Sequence, residues 1–182
     1  MITIRTYESP AGQLLIGSYS NQLCLLDWKY RRMRNAIDKR IKNYFNAEFK
    51  EGNSEIIENT ISQLNEYFTG KRRAFDIPII YAGTDFQKSV WKQLLNIPYG
   101  KIITYSNLAD QLKNPGSIRA VGTANGANAI SIIVPCHRVI GKNGELVGYA
   151  GGLQVKKELL KLEGIITDQQ ISLFNEQNTS FL

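Results

Sequence analysis

Ser106-Asn107-Leu108-Ala109-Asp110-Gln111-Leu112-Lys113-Asn114-Pro115-Gly116-Ser117-Ile118-Arg119-Ala120-Val121-Gly122-Thr123-Ala124-Asn125-Gly126 divides into two helical pieces around one turn. Ser106 can cap a first helix carrying Leu108, Ala109 and Leu112 on one face. Asn114-Pro115-Gly116 must then turn the chain, and residues 117–126 resume helical spacing. Helix, tight turn, second helix is the shape of a helix-turn-helix. The second helix is thin, because Ala120, Gly122, Ala124 and Gly126 leave it little side-chain bulk despite the helix penalty of glycine. Such a helix can lie close to another backbone, either a neighbouring helix or a nucleic acid. The lone long cation, Arg119, favours the nucleic acid, since it suits a groove better than a core.

On the N-terminal side, Thr84-Asp85-Phe86-Gln87 forms a capping box, and Phe86, Val90 and Leu94 continue one face of a helix over 85–95. Ile97-Pro98-Tyr99-Gly100 ends it, and Ile102-Ile103-Thr104 is a short extended piece. On the C-terminal side, the β-branched run Ile130-Ser131-Ile132-Ile133-Val134 predicts a strand closed by Pro135, which offers no ladder donor. Gly141-Lys142-Asn143-Gly144 is a hairpin-like turn, and a helix over about 154–163 stops at Gly164. Residues 165–182 are polar with scattered apolar positions and are expected to form a loosely docked or partly disordered tail.

The first third alternates as strands do: Ile2, Ile4 and Thr6, then residues 15–19, then residues 23–28, with turn residues at Ser9-Pro10-Ala11-Gly12 and Ser20-Asn21. A small antiparallel sheet is expected, followed by a charged helix from Met33 to Asn46 and a second helix bearing Ile57, Ile61, Leu64 and Phe68. Thr69-Gly70-Lys71-Arg72-Arg73 breaks the periodicity. These patterns predict an α/β domain over 1–76, a linker over 77–83 and a second, helical domain over 84–164.

Composition narrows the class. The 182 residues are 43% hydrophobic, ordinary for a globular protein, and no apolar run approaches a membrane span. Two cysteines cannot build a disulfide framework, and two cysteines with one histidine lack the ligand set of a structural zinc, so neither a metal nor a secreted fold is expected. A cytoplasmic location follows from the same features. The net charge of +6 suits a polyanionic partner, and it is uneven: +3 over 1–83, +5 over 84–164 and −2 over 165–182.

The excess charge surrounds Ile133-Val134-Pro135-Cys136-His137-Arg138-Val139-Ile140, where a thiol stands beside the chain's single histidine. An unperturbed thiol with a pKa of about 8.5 is only a few per cent ionised near neutrality, and an adjacent imidazole can raise that fraction. A small buried hydrophobe is the alternative. On a strand Cys136 and His137 would face opposite ways. If the chain enters a helical turn at Pro135 they diverge by about 100°, and one water can link them. A working imidazole needs a partner, for which Glu163 is the candidate because a carboxylate at a helix C-terminus opposes the dipole. An exposed helix-end acid is the alternative. Cys24 lies inside an apolar run, where packing is its expected role.

Val134-Pro135-Cys136-His137-Arg138-Val139-Ile140 resembles the active-site signature of the O6-alkylguanine-DNA alkyltransferases, or methylated-DNA–protein-cysteine methyltransferases. The likeness extends in order and spacing through Thr104-Tyr105-Ser106, Arg119-Ala120-Val121-Gly122, Asn128, Tyr149-Ala150-Gly151-Gly152 and Glu163. It implies an α+β two-domain protein with an N-terminal ribonuclease-H-like α/β sheet domain. The C-terminal helical domain would carry a winged-helix-like helix-turn-helix. The N-terminal zinc of some relatives has no ligands to copy it here, and no extra regulatory domain is expected before the sheet.

The resemblance also implies direct-reversal repair, in which Cys136 takes the alkyl group from O6-alkylguanine and is consumed, with O4-alkylthymine a second candidate substrate. His137 would accept the thiol proton through water, held by Glu163, while Tyr105 would donate to a ring nitrogen of the departing guanine. Asn128 would tie the recognition helix to the active-site turn. Arg119, Ala120, Gly122, Thr123 and Ala124, with Tyr105 and Ser106, would meet double-stranded DNA at its minor groove, Arg119 filling the gap left by the flipped nucleotide. Val139, Tyr149, Ala150, Gly151 and Ser131 would line the base pocket. Some relatives have proline where Ala129 and Ser131 stand, and serine where Ala150 stands. No cofactor is implied, and the protein would act as a monomer. A non-enzymatic binder of alkylated DNA is the alternative, and a transcription factor or a thiol hydrolase fits the residues less well.

Overall fold

The structure is a computed structural model and describes residues 1–167. Three strands, β1 (Ile2–Ser9), β2 (Gly12–Tyr19) and β3 (Gln22–Trp28), form an antiparallel meander. Ser20 and Asn21 both adopt positive φ, the two-residue turn whose twist matches a hairpin. A short fourth strand, β4 (Phe49–Glu51), runs parallel to β1 and completes the sheet order β3-β2-β1-β4. Sequence pattern does not reveal β4, since one half-buried and two exposed residues show no period.

Helix α1 (Arg34–Phe45) covers one face of the sheet, with Ile37 and Ile41 packed beside Ile2, Cys24 and Leu25. Cys24 is buried there, as a packing residue would be. Helix α2 (Glu55–Phe68), capped by Ser54, covers the other face with Ile57, Leu64 and Tyr67. That second core also takes in Val90, Trp91, Leu108, Val121 and Leu159 from the C-terminal half. The two halves thus share one packed interior.

The C-terminal half consists of α3 (Asp85–Leu94), β5 (Ile103–Thr104), α4 (Tyr105–Gln111), α5 (Ile118–Gly126), β6 (Val139–Ile140) and α6 (Leu153–Leu162). The capping box at α3 forms as its residues dictate: Gln87 N donates to Thr84 Oγ1 at 3.2 Å, and Thr84 N to Gln87 Oε1 at 3.0 Å. α4 begins two residues earlier than a cap at Ser106 predicts. Thr104 is its cap, accepting from Asn107 N, while Ser106 bonds the Thr104 hydroxyl. A single 3-10 turn over Pro115–Ser117 links α4 to α5.

The free edge of β3 orders two later segments of the chain. Residues 78–80 bond along it through Leu23, so part of the expected 77–83 linker runs beside the sheet. Next to them, Leu26 N donates to Ala129 O at 2.8 Å and Ser131 N to Leu26 O at 2.6 Å. The predicted strand over Ile130–Val134 is instead one bridge at Ile130 followed by a turn, with Ile132 at φ 69. Asn128 bonds Ile130 N, Ile130 O and Val134 O, and further backbone bonds run to Leu26 and within the turn, so burial rather than a ladder accounts for the β-branched residues. Among the described residues no helix is long and apolar enough to cross a membrane. From residue 168 onward the expected tail lies outside the described residues.

Candidate active site

Cys136 begins a 3-10 turn over Cys136–Arg138, which follows directly from Pro135. The turn is built on Asn128. Its Nδ2 donates to Val134 O at 2.9 Å, Ile130 O at 3.3 Å and Cys136 Sγ at 3.2 Å, while its Oδ1 accepts from Ile130 N at 2.9 Å. One buried amide therefore shapes the loop and touches the thiol. Burial pushes the Cys136 thiol above its ordinary range, and the Asn128 bond offsets part of that rise.

His137 is fully buried, and its Nε2 lies 2.8 Å from Glu163 Oε1. Glu163 follows the last residue of α6, and Gly164 at φ 74 turns the chain away. Burial would raise its carboxyl, but His137 and Arg138 overcome this and hold it far below the carboxylate range, at about 2. The exposed-acid alternative for Glu163 is thereby removed. Because an ionised carboxylate can only accept, Nε2 carries the proton and Nδ1 keeps its lone pair. Nδ1 is buried with no hydrogen-bond partner. Burial lowers the His137 pKa, with Glu163 opposing, so the ring is neutral near pH 7.

Three further groups hold the carboxylate, and sequence reasoning did not assign them; one is Gly100 N, which donates to Glu163 Oε2 at 3.3 Å. Arg138 Nε donates to Glu163 Oε2 at 2.8 Å and Nη2 to Oε1 at 3.0 Å. The Tyr67 hydroxyl, from α2, donates to Oε1 at 2.8 Å. Arg138 lies in the quoted motif, so its proximity to the site was available. Tyr67 lay among core positions with no signal to distinguish it.

A cavity of about 280 Å³ opens over Cys136, bordered by Tyr105, Asn125, Tyr149 and Ala150. Arg31 and Arg32, from the N-terminal half, also border it. Burial and the nearby thiol raise the Tyr105 phenol to about 12, keeping its proton in place, while the hydrogen bond from Asn125 opposes the rise. Trp28 Nε1 donates to Tyr149 OH at 3.1 Å. Gly151 lies against Trp28, where a Cβ would meet the indole at 2.8 Å. Val139 and Ser131 are fully buried behind the cavity: Val139 O accepts from Lys156 Nζ, and Ser131 Oγ donates to Asp27.

On α5, Arg119, Ala120 and Thr123 face outward and Gly122 is half-buried against Tyr105. Ala124 differs from expectation. It is buried against α3, its carbonyl accepting from Trp91 Nε1 at 2.8 Å, so its side chain is on the inner face.

An enclosed thiol beside a cavity, with a carboxylate-bound imidazole adjacent, defines a protein that uses cysteine as its reacting group. Comparison with known proteins makes the class specific. Residues 2–81 match the ribonuclease-like domain, and residues 85–165 the DNA binding domain, of 6-O-methylguanine DNA methyltransferase. The chain is 41% identical over 175 residues to a methylated-DNA–protein-cysteine methyltransferase of Mycobacterium tuberculosis, covering 96% of this chain and all of that one. It is 43% identical to the protein of that name from Methanosarcina acetivorans, covering 87% of this chain and 96% of the relative. A crystal structure of Mycobacterium tuberculosis OGT in complex with DNA superposes with a TM-score of 0.78 at 42% identity, covering 88% of this chain and 92% of the other. This chain belongs to the methylated-DNA–protein-cysteine methyltransferase family.

Proposed function

We propose that the protein repairs DNA by direct reversal, moving the alkyl group of O6-alkylguanine onto Cys136 Sγ in one irreversible step. The observation that carries this is the pairing of His137 Nε2 with Glu163, which leaves Nδ1 as the lone-pair site of a neutral, buried imidazole beside Cys136. Through one water, Nδ1 takes the thiol proton as Sγ attacks the alkyl carbon. The carbon–O6 bond breaks as the S–C bond forms, and the electron pair passes to the purine. The Tyr105 phenol then donates to a ring nitrogen, which makes guanine a better leaving group.

The guanine must leave the stack to reach a thiol this enclosed, at a cost of a few kcal/mol that a damaged, poorly paired base reduces. We assign the DNA contact to α4 and α5 acting as a winged-helix-like helix-turn-helix. The small outward residues of α5 permit entry into the minor groove, and Arg119 occupies the gap. Tyr149 and Ala150 line the base pocket, with Gly151 next to them against Trp28 and backbone groups near Val139 reading the base edge. The thioether formed has a poor leaving group, so each molecule acts once. One chain contains every group named, so a monomer suffices.

Incubation with duplex DNA containing O6-methylguanine is expected to add one methyl mass to the peptide bearing Cys136, with the reaction stopping at one equivalent. If Cys136→Ala protein still removed the methyl group, the proposal would fail. A non-enzymatic binder would retain affinity for the lesion and leave Cys136 unmodified.

A further inference from the structure

Asn125 has no part in the alkyl transfer itself, yet it is 4% exposed and borders the same cavity as Cys136 and Tyr105. Its Nδ2 donates to the Tyr105 hydroxyl at 3.2 Å. Its Oδ1 is buried with no hydrogen-bond partner. A buried acceptor left without a donor is destabilising, and a bound group that donates to it removes that penalty.

The direction of the Asn125–Tyr105 bond matters. Because the amide donates to the phenol oxygen, the phenolic proton is left for the cavity, and the O–H is polarised toward giving it up. In guanine, N1 and N3 both flank the carbon that carries the 2-amino group. A phenol donating to either of these nitrogens therefore stands beside an N–H donor of the base.

We infer that Asn125 reads the extruded base, its Oδ1 accepting from the guanine 2-amino group while its Nδ2 orients the Tyr105 hydroxyl toward the adjacent ring nitrogen. This rests on the alkyl-transfer reading and names what the pocket selects. Hypoxanthine lacks the amino group and would leave Oδ1 unpaired. Thymine presents a carbonyl oxygen there, so an O4-alkylthymine would set acceptor against acceptor. Selection for guanine thus comes from a side chain of α5 as well as from the backbone around Val139.

The test is the single-turnover rate of Cys136 methylation with duplexes carrying O6-methylguanine or O6-methylhypoxanthine. The wild-type protein is expected to be about tenfold slower on the hypoxanthine duplex, the worth of one hydrogen bond. Asn125→Ala should be slower than wild type on O6-methylguanine and should treat the two duplexes alike. Asn125→Asp, which can only accept, should capture the phenolic proton and be slower than Asn125→Ala, a difference that vanishes in a Tyr105→Phe background. An Asn125→Ala protein that still discriminates tenfold, or a wild type that does not discriminate, overturns the base contact. Equal rates for the Ala and Asp variants overturn the orienting role. Wild-type protein that leaves Cys136 unmethylated by O6-methylguanine would instead refute alkyl transfer itself.

Discussion

Arg138 grips both carboxylate oxygens of Glu163, Nε on Oε2 at 2.8 Å and Nη2 on Oε1 at 3.0 Å. Its Nη1 donates to Ile97 O at 2.6 Å. With His137 and Tyr67 on Oε1, the carboxylate is saturated by donors and fixed in the ionised state. The arrangement sets the tautomer of His137 and ties α6, the Cys136 turn and the end of α3 together. The proposed chemistry and the stability of the fold thus meet in one buried group.

Glu163→Gln should damage both. An amide leaves Arg138 as an uncompensated buried charge, which costs about 3–5 kcal/mol, and it no longer enforces the Nε2–H tautomer. Single-turnover methylation is expected to slow about a hundredfold, within the range for loss of a general base. Thermal unfolding should show the loss of stability, while binding of unmodified duplex changes little because Glu163 presents nothing at the surface. An unchanged transfer rate would remove Glu163 from the relay.

Acid sensitivity arises from the same pair. The folded-state pKa of Glu163 is depressed, so its stabilisation is complete above the unfolded value near 4.5 and is lost as pH falls toward about 2. The folded-state pKa of His137 is also depressed, so folding keeps it neutral while the unfolded chain takes up a proton below about pH 6.5. Both effects reduce stability as pH falls. Urea unfolding from pH 8 to pH 4 should give a midpoint that declines first below about 6.5 and again below about 4.5. His137→Gln should abolish the upper step and, because His137 helps hold the Glu163 carboxyl down, also diminish the lower one.

Asp27 couples the sheet to the active-site turn. It is fully buried, pairs with Arg31 at 2.8 Å and Arg34 at 3.1 Å, and accepts from Ser131 Oγ. Arg31 in turn donates to Asn128 O and Gly126 O at the end of α5. Asp27→Asn should destabilise the fold by about 3–5 kcal/mol, because the buried Arg31 guanidinium loses its counter-charge, while the partly exposed Arg34 keeps Asp38 at 2.6 Å. Amide exchange at residues 126–131 should accelerate more than exchange in β1 and β2. Uniform acceleration across the sheet would argue against a specific coupling.

Much of the chain is legible in its sequence because the governing signals are local. The capping box at Thr84, the Asn114-Pro115-Gly116 turn and the helical periods of α2 and α6 depend on residues a few positions apart, and the structure contains each of them. The strand expected over Ile130–Val134 fails because a side chain, Asn128, takes the bonds that a ladder would make. Tyr67 stands 96 residues from Glu163 and reads as core until the fold brings them together. Asn125 similarly reads as one more residue of a thin helix, and only its unpaired oxygen beside Tyr105 distinguishes it.

Gly151 marks where the pocket wall has no room. A Cβ there would lie 2.8 Å from Trp28 Nε1 and 2.9 Å from two indole carbons, with the flat face of a buried tryptophan unable to yield. Trp28 Nε1 holds the Tyr149 hydroxyl at 3.1 Å, and the Tyr149 ring packs edge-on to His137 with centroids 6.3 Å apart. Displacing the indole therefore moves a wall of the cavity over Cys136. Gly151→Ala is expected to cost about 1–3 kcal/mol in stability, as overpacking does. It should also slow methylation of Cys136 by duplex O6-methylguanine several-fold, with reaction of Cys136 toward a small thiol reagent less affected. Combining it with Trp28→Phe, which shortens the obstructing ring, should recover part of both losses, and strict additivity of the two substitutions would show that the Gly151–Trp28 contact is not their cause.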